Sequence, residues 1–189
     1  MGSHLIYVVG ASGSGKDTLM GYARQKLAGD PRVCFAHRYI TRCATAGGEN
    51  HVALTPQEFT SRENGKLFAM HWSSHGMHYG IGIEINQWLA KGITVVINGS
   101  REYLEEARQR YPELLPVTID VATDVLRARL LARGREDAES VEQRLRRHET
   151  LQRQPLPGVR IQNNGLVEAA GDELVHLIAA HTQGVATCV

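Results

Sequence analysis

Gly10, Ala11, Ser12, Gly13, Ser14, Gly15, Lys16, Asp17 and Thr18 form an unbroken segment directly after the apolar run 5–9. A glycine, four residues, then Gly-Lys is the spacing of a loop that wraps phosphate groups. Gly10, Gly13 and Gly15 permit a backbone path that turns successive N–H groups toward one anion. The helical pattern over residues 15–28 adds the positive end of its dipole at the same point. Lys16 supplies a flexible point charge that can follow the β- and γ-phosphates of a nucleoside triphosphate during transfer. One letter departs from the pattern. Where Ser or Thr normally holds magnesium, this chain has Asp17, so either Asp17 or Thr18 is expected to reach Mg2+.

A second set of candidates could bind whatever receives the phosphoryl group. Arg38 and Arg42, four apart in a strand-like stretch, share a face, and two guanidinium forks on one face can clamp a phosphate. The plain alternative is a solvated strand edge. Tyr79, followed by Gly80, can offer its hydroxyl to the same anion or simply pack. Residues 127–153 hold eight arginines (127, 129, 133, 135, 144, 146, 147 and 153) against five acidic residues. There a helix over 123–133 ends in Arg133-Gly134-Arg135, and Ser140 with Gln143 reads as the capping-box start of the next helix. Two helices with a short arginine-rich connection resemble a lid over transferring phosphates, whose spreading charge calls for cations. A charged hairpin laced by pairs such as Glu142 with Arg146 is the alternative. His71 and His75 have the H-x3-H spacing of zinc sites, and His78 follows. Ser73, Ser74 and Gly76 interrupt the helix that such a site needs, so polar loop histidines are expected instead.

Missing groups inform as well. The run 93–97 is followed by Asn98-Gly99-Ser100-Arg101, so an amide replaces the carboxylate that often organises magnesium after this strand. No obvious general base follows a kinase-type pattern. An alcohol acceptor usually wants one, whereas a phosphate monoester, with a second pKa of about 6, is already mostly dianionic at pH 7. A phosphate acceptor fits.

Positioning these residues requires a scaffold, and its elements are readable. Apolar runs 5–9, 93–97, 115–119 and, weakly, 159–161 read as buried parallel strands. Helical patterns cover 15–28, 83–91, 101–110, 123–133, 139–152 and 166–181, the last with Leu166, Val167, Leu174, Val175, Leu177 and Ile178 on one face. This alternation predicts an α/β P-loop fold with a five-stranded parallel sheet flanked by helices. Residues 32–82 break the rhythm, with alternating stretches 33–40 and 67–73, a helix-like piece 56–63, and a turn-rich segment around Gly76, Gly80 and Gly82. They are expected to form a small β-containing acceptor lobe. The whole chain 1–189 reads as one domain, with a lid over about residues 133–141.

A chain of 189 residues, 42% hydrophobic, is long enough for one real core. Its net charge of +1 provides no global field for nucleic acid or an anionic membrane. Of 21 basic residues only Lys16, Lys26, Lys66 and Lys91 are lysines, which suits phosphate recognition but also follows from a GC-rich coding sequence. Cys34, Cys43 and Cys188 have neither disulfide nor zinc spacing. No apolar stretch approaches the roughly 18–20 residues that span a bilayer, and the first residues lack a secretory signal. A cytoplasmic protein is expected, its oligomeric state open, a homodimer included.

Taken together, these residues resemble the guanylate kinase family over most of the chain. Residues 10–18 (GASGSGKDT) are similar to its phosphate loop, Ile40-Thr41-Arg42 to its T-T-R acceptor motif, His78-Tyr79-Gly80 to its Y-Y-G turn, and Arg129-Leu130-Leu131-Ala132-Arg133-Gly134 to its lid. The departures are specific. Where that family reads guanine with a carboxylate, Phe68-Ala69-Met70 offers only Ala and Met; Asn98 stands for an Asp, and Thr45 for the second Arg after T-T-R. An apolar residue cannot accept the guanine N–H donors, and a site built for them loses several orders of magnitude without that partner.

The combination of Gly15-Lys16-Asp17, H-R-Y-I-T-R (37–42), Y-G-I (79–81) and V-x-N-G-S-R (96–101) resembles a narrower family, the ribose 1,5-bisphosphate phosphokinases of bacterial phosphonate degradation. That resemblance implies transfer of the ATP γ-phosphoryl group to the 1-phosphate of ribose 1,5-bisphosphate, giving 5-phosphoribosyl 1-diphosphate. It implies ATP and Mg2+ as cofactors and a sugar phosphate as the small-molecule partner. Lys16 and the loop amides would hold the β- and γ-phosphates, Arg133 and Arg144 would neutralise the transition state, and Arg38, Arg42, Tyr79, Asn98 and Arg101 would face the acceptor. The competing readings are a nucleoside monophosphate kinase of altered base choice, a small-metabolite kinase with an alcohol acceptor, and a non-catalytic guanylate-kinase-like binding module. Such modules typically lose the loop lysine and glycines, which are intact here.

Overall fold

In the computed structural model residues 4–46, 49, 51–133, 138–154 and 156–184 are described, without the side chains of Ala46, Arg133, Ala138, Leu151 and Gly184. The elements in chain order are β1 (Leu5–Gly10), α1 (Lys16–Lys26), β2 (Val33–Phe35), β3 (Arg38–Ile40), β4 (His51–Ala53), α2 (Pro56–Asn64), β5 (Phe68–Ser74) and β6 (Met77–Gly82). There follow α3 (Ile85–Ala90), β7 (Thr94–Asn98), α4 (Leu104–Arg110), β8 (Leu115–Asp120), α5 (Thr123–Arg133), α6 (Ala138–Gln152), β9 (Val159–Gln162) and α7 (Val167–Gly184).

Five strands form a parallel sheet in the order β2-β7-β1-β8-β9. The central three are apolar almost without interruption because helices cover both faces. Alternate residues of β1 serve different cores. Leu5, Tyr7 and Val9 pack with Tyr103, Leu104 and Ala107 near α4, while Ile6 and Val8 pack with Leu19 and Ala23 of α1 and Leu174 and Ile178 of α7. The strand order reverses at β1, and crevices beyond the carboxyl ends of strands at such a reversal are where open α/β sheets bind ligands. Gly10 and Asn98 end adjacent strands there.

A four-stranded mixed sheet, β4-β3-β6-β5, carries much of the region that breaks the alternation. The stretch 33–40 is two strands in two sheets. Val33–Phe35 pairs with β7 as the fifth core strand, and after Ala36-His37 the chain pairs with β4 and β6. The segment around Gly80 and Gly82, expected to be turn-rich, is strand β6. A Cβ at Gly80 would overlap the Phe68 ring of β5, so glycine marks a close approach within the strand.

Helix starts also differ from expectation. The capping box observed belongs to α2, where Glu58 N donates to Thr55 Oγ1 and Thr55 N donates to Glu58 Oε2. Helix α6 begins at Ala138, so Ser140 lies within its first turn. Glu142 is bonded by Arg127 of α5, across the helix pair, instead of by Arg146 one turn along. Leu126 and Leu130 of α5 pack on Val141 and Leu145 of α6. Residues 134–137, the centre of the expected lid, lie outside the described residues. Leu166 is exposed and precedes α7 instead of joining its apolar face. No helix among the described residues is long and apolar enough to cross a membrane.

Candidate active site

The loop between β1 and α1 is fixed from behind. Asn163, buried after β9, donates through Nδ2 to the Ser14 carbonyl at 2.7 Å, and Arg129 of α5 reaches the same oxygen at 3.4 Å. In a trans peptide the carbonyl and the following N–H point in opposite directions, so this anchoring turns the Gly15 N–H away from Asn163. Gly15 adopts φ +84°, and a Cβ there would collide with Asn163 Nδ2. The glycine serves both the left-handed backbone and the close approach.

Lys16 opens α1 and is nearly buried. Its ammonium donates to Asp17 Oδ1 at 2.8 Å and to Asn98 Oδ1. Burial pushes its pKa below the usual lysine range, and Arg38 acts in the same direction against the opposing charges of Asp17 and Glu49. For Asp17, burial raises the carboxyl pKa, but Lys16, Arg38 and the Asn98 bond outweigh it and the net shift is downward. The shift at Asp17 favours its carboxylate, while burial works against the Lys16 ammonium beside it.

Asn98 connects this pair to a second one. Its Nδ2 donates to Asp17 Oδ1 at 2.9 Å and to Glu49 Oε2 at 3.0 Å. Glu49 in turn accepts from Arg38 Nε at 2.7 Å and from Arg38 Nη2, and lies 3.6 Å from Arg42 Nη2. The Arg38 guanidinium sits 5.1 Å over the Tyr79 ring, which stacks on Trp72 at 5.7 Å with an interplanar angle of 5°. Arg38 is therefore fixed along one edge by Glu49 and across one face by Tyr79.

An amide at position 98 now has a physical reason, since one group donates to two carboxylates. Asn98→Asp would bring a third carboxylate within hydrogen-bond distance of both. A stability loss of about 1–3 kcal/mol is expected in urea denaturation, together with weaker turnover. Adding Asp17→Asn, which exchanges amide and carboxylate, should recover most of the loss; no recovery would separate the two positions.

A cleft of about 670 Å3 joins these groups. Gly10, Ala11, Ser12, Gly13, Gly15, Lys16, Asp17 and Thr18 line it. Arg38, Trp72 and Tyr79 also line it, as do Arg101, Arg144 and Arg147. Arg144 Nη1 donates to Ser12 Oγ at 2.8 Å, so α6 reaches directly over the loop. Arg101 follows β7 and bonds the Gln154 carbonyl. Three expected residues stand behind the cleft wall. Ser14 is fully buried and shapes the loop, Asn98 is buried behind Lys16, and Arg42 supports Glu49 beside His51. The side chain of Arg133 lies outside the described ones.

Asp17 and Thr18 present a carboxylate and a hydroxyl at the cleft, and no group of three or more His, Cys, Asp or Glu among the described residues could hold a metal. Hard oxygen donors this few suit Mg2+, which is commonly held by one or two carboxylates together with substrate phosphates. The histidines disperse: His71 pairs with Glu63, His78 with Ser73, and His75 sits at the β5–β6 turn. Met70, in the segment compared with a base reader, is fully buried in the core, and the Ala69 carbonyl accepts from Arg110.

Sequence reasoning missed Glu49, Asn163 and the Arg147–Glu102 pair. Glu49 follows two glycines in a stretch with no periodicity, and Asn163-Asn164-Gly165 reads as an ordinary turn. The excess of cations at 38 and 42 without a local acid was the one available signal.

No protein-family model matches the chain. It is 54% identical over 175 residues, 93% of this chain and 92% of the relative, to the ribose 1,5-bisphosphate phosphokinase PhnN of Thiobacillus denitrificans. The enzyme of the same name from Desulfomicrobium baculatum is 54% identical over 180 residues, 95% of this chain and 96% of that one. That from Psychromonas ingrahamii is 47% identical over 175 residues, covering 92% and 89%. Among solved structures, a guanylate kinase from Anaplasma phagocytophilum superposes with a TM-score of 0.67 over 96% of this chain and 87% of its own, at 16% identity. A gluconokinase from Sinorhizobium meliloti gives 0.51 over 98% and 97%, at 18% identity. Those two likenesses are of fold. With about half of its residues shared over nearly the full length of both chains, the chain belongs to the ribose 1,5-bisphosphate phosphokinase family.

Proposed function

We propose that the protein transfers the γ-phosphoryl group of ATP to a 1-phosphate oxygen of ribose 1,5-bisphosphate, releasing ADP and 5-phosphoribosyl 1-diphosphate. The observation that carries this reading is the cleft shared by the phosphate loop and by arginines from three separate parts of the fold, Arg38 of β3, Arg101 of the β7–α4 connection and Arg144 of α6. The names of its relatives support it.

In the proposed reaction a bond forms between the acceptor oxygen and the γ-phosphorus as the bond from that phosphorus to the β–γ bridging oxygen breaks. The attacking dianion carries no proton to remove, so no base is needed. Lys16 follows the charge toward the leaving β-phosphate, and Arg144, already over Ser12, faces the transferring group. Arg133 joins Arg144 in this role, from a lid at about residues 133–141. Arg38, locked by Glu49 and Tyr79, holds the attacking phosphate with Arg101, and the small lobe within residues 32–82 forms the acceptor side. Mg2+, held by Asp17 or Thr18 and the nucleotide, would neutralise phosphate charge. A cytoplasmic location accords with the use of ATP.

The test is ADP release with ribose 1,5-bisphosphate, ribose 1-phosphate, GMP and gluconate as acceptors. kcat/KM for the bisphosphate is expected to exceed that for GMP by at least about 100-fold, as the base finds no polar partner. Equal efficiency with GMP would restore a nucleotide acceptor, and preference for gluconate an alcohol acceptor.

A further inference from the structure

Ribose 1,5-bisphosphate carries two phosphates, and only one reacts. The cleft has a second cationic region beyond Arg38. Helix α6 presents Arg144 and Arg147 three residues apart and hence on one face. Arg144 reaches Ser12 of the loop, whereas Arg147 points to Glu102 and lies 3.4 Å from His75 Nε2. Glu102, His75 and Arg147 all line the cleft, as does Arg101.

The β5–β6 hairpin spaces the two regions. Trp72 pairs with Tyr79 under Arg38, and the strands close at the turn after Ser74, which pairs with Met77. Trp72 and His75 are three positions apart, at most about 10 Å at roughly 3.3 Å per extended residue and less where the chain turns at His75. A five-membered sugar with a phosphate on each side can bridge such a gap, its ring beside the Trp72–Tyr79 stack.

The two arginine–carboxylate pairs differ in a way that assigns them. Glu49 and Arg38 are only 9% and 11% exposed, do not separate easily, and fix Arg38 in place. Glu102 and Arg147 are 60% and 49% exposed, and so exposed a pair holds little. A phosphate dianion offers Arg147 more charge and more acceptor oxygens than Glu102 does.

We propose that Arg147, with His75 beside it, binds the acceptor's non-reacting 5-phosphate by replacing Glu102, and so sets the preference for a sugar bisphosphate over a sugar monophosphate. This rests on the reading of the acceptor given above. The specificity belongs to the fork of Arg147, while Arg38 serves the phosphate that attacks.

Arg147→Met, Arg147→Lys and Glu102→Gln test it, each compared with the unaltered protein on ribose 1,5-bisphosphate and ribose 1-phosphate. Arg147→Met is expected to collapse the ratio of kcat/KM for the bisphosphate over the monophosphate by about 10- to 100-fold, mainly through KM. Arg147→Lys, which keeps charge without the fork, should fall between, and Glu102→Gln should keep or raise the ratio. An equal loss on both acceptors would put Arg147 on the transferring group and overturn the assignment, as would an unchanged ratio in an active enzyme. Absence of bisphosphate turnover by the unaltered protein would instead remove the functional reading beneath it.

Discussion

Lys16→Met is expected to lower kcat by about 1,000- to 10,000-fold, roughly 4–5.5 kcal/mol of transition-state stabilisation. In the proposed reaction the ammonium is the loop side chain that tracks charge from the γ-phosphoryl group to the β-phosphate, and it is only 12% exposed. Methionine has a similar length and no charge, so the core contacts of α1 are retained while the electrostatic contribution vanishes. Structure should survive for a second reason. Burial already depresses the lysine pKa, so the folded state loses little by losing that cation. Asp17 and Asn98 retain each other at 2.9 Å. Single-turnover rates alongside urea denaturation check both halves. Near-normal turnover would remove Lys16 from the chemistry, and gross unfolding would assign it to the scaffold.

Glu49→Ala should act on stability. Arg38 and Glu49 are almost withdrawn from solvent, and removing one member of such a pair leaves an uncompensated charge, typically at a loss of about 3–5 kcal/mol. The Tyr79 face beneath Arg38 offsets only about 0.5–2 kcal/mol of it. Asn98 Nδ2 also loses an acceptor. The unfolding free energy is therefore expected to fall by that amount, read as a lower urea midpoint without a change in m. Glu49→Gln, which keeps an acceptor oxygen, should lose less. A drop below about 1 kcal/mol would mean that Arg38 finds water, and that its orientation does not depend on Glu49.

What the sequence disclosed follows from how local each feature is. The phosphate loop is contiguous, and its glycines and Lys16 carry their own geometry. Strands β1, β7 and β8 were visible because both faces are buried, which makes them nearly continuous apolar runs. The partition of residues 33–40 was hidden because nothing local marks it: the stretch from Val33 to Ile40 contains no Gly or Pro, although its halves join different sheets. Strand β6 was masked by Gly80, which admits the Phe68 ring, and by Gly82, which lies against Glu84. The α6 start went astray because Ser140 and Gln143 satisfy a local pattern that the longer helix does not use.

The interior of the candidate site is made of long-range contacts that no spacing rule encodes. Glu49 meets Asn98 across 49 positions, and Asn163 meets Ser14 across 149. Position 98 illustrates the limit. Its amide was recognisable as a departure, but its purpose depends on two carboxylates brought together by separate loops. In the structure Asn98 donates to Asp17 at 2.9 Å, so the two positions act together.

The most direct test of phosphoryl transfer to a sugar bisphosphate is phosphorus NMR of the protein with ATP, Mg2+ and ribose 1,5-bisphosphate. The expected result is a pair of coupled diphosphate resonances on C1 of the sugar, growing in equal amount with ADP as the 1-phosphate signal disappears. ADP accompanied by inorganic phosphate, or an inert bisphosphate beside GMP converted to GDP, would contradict it.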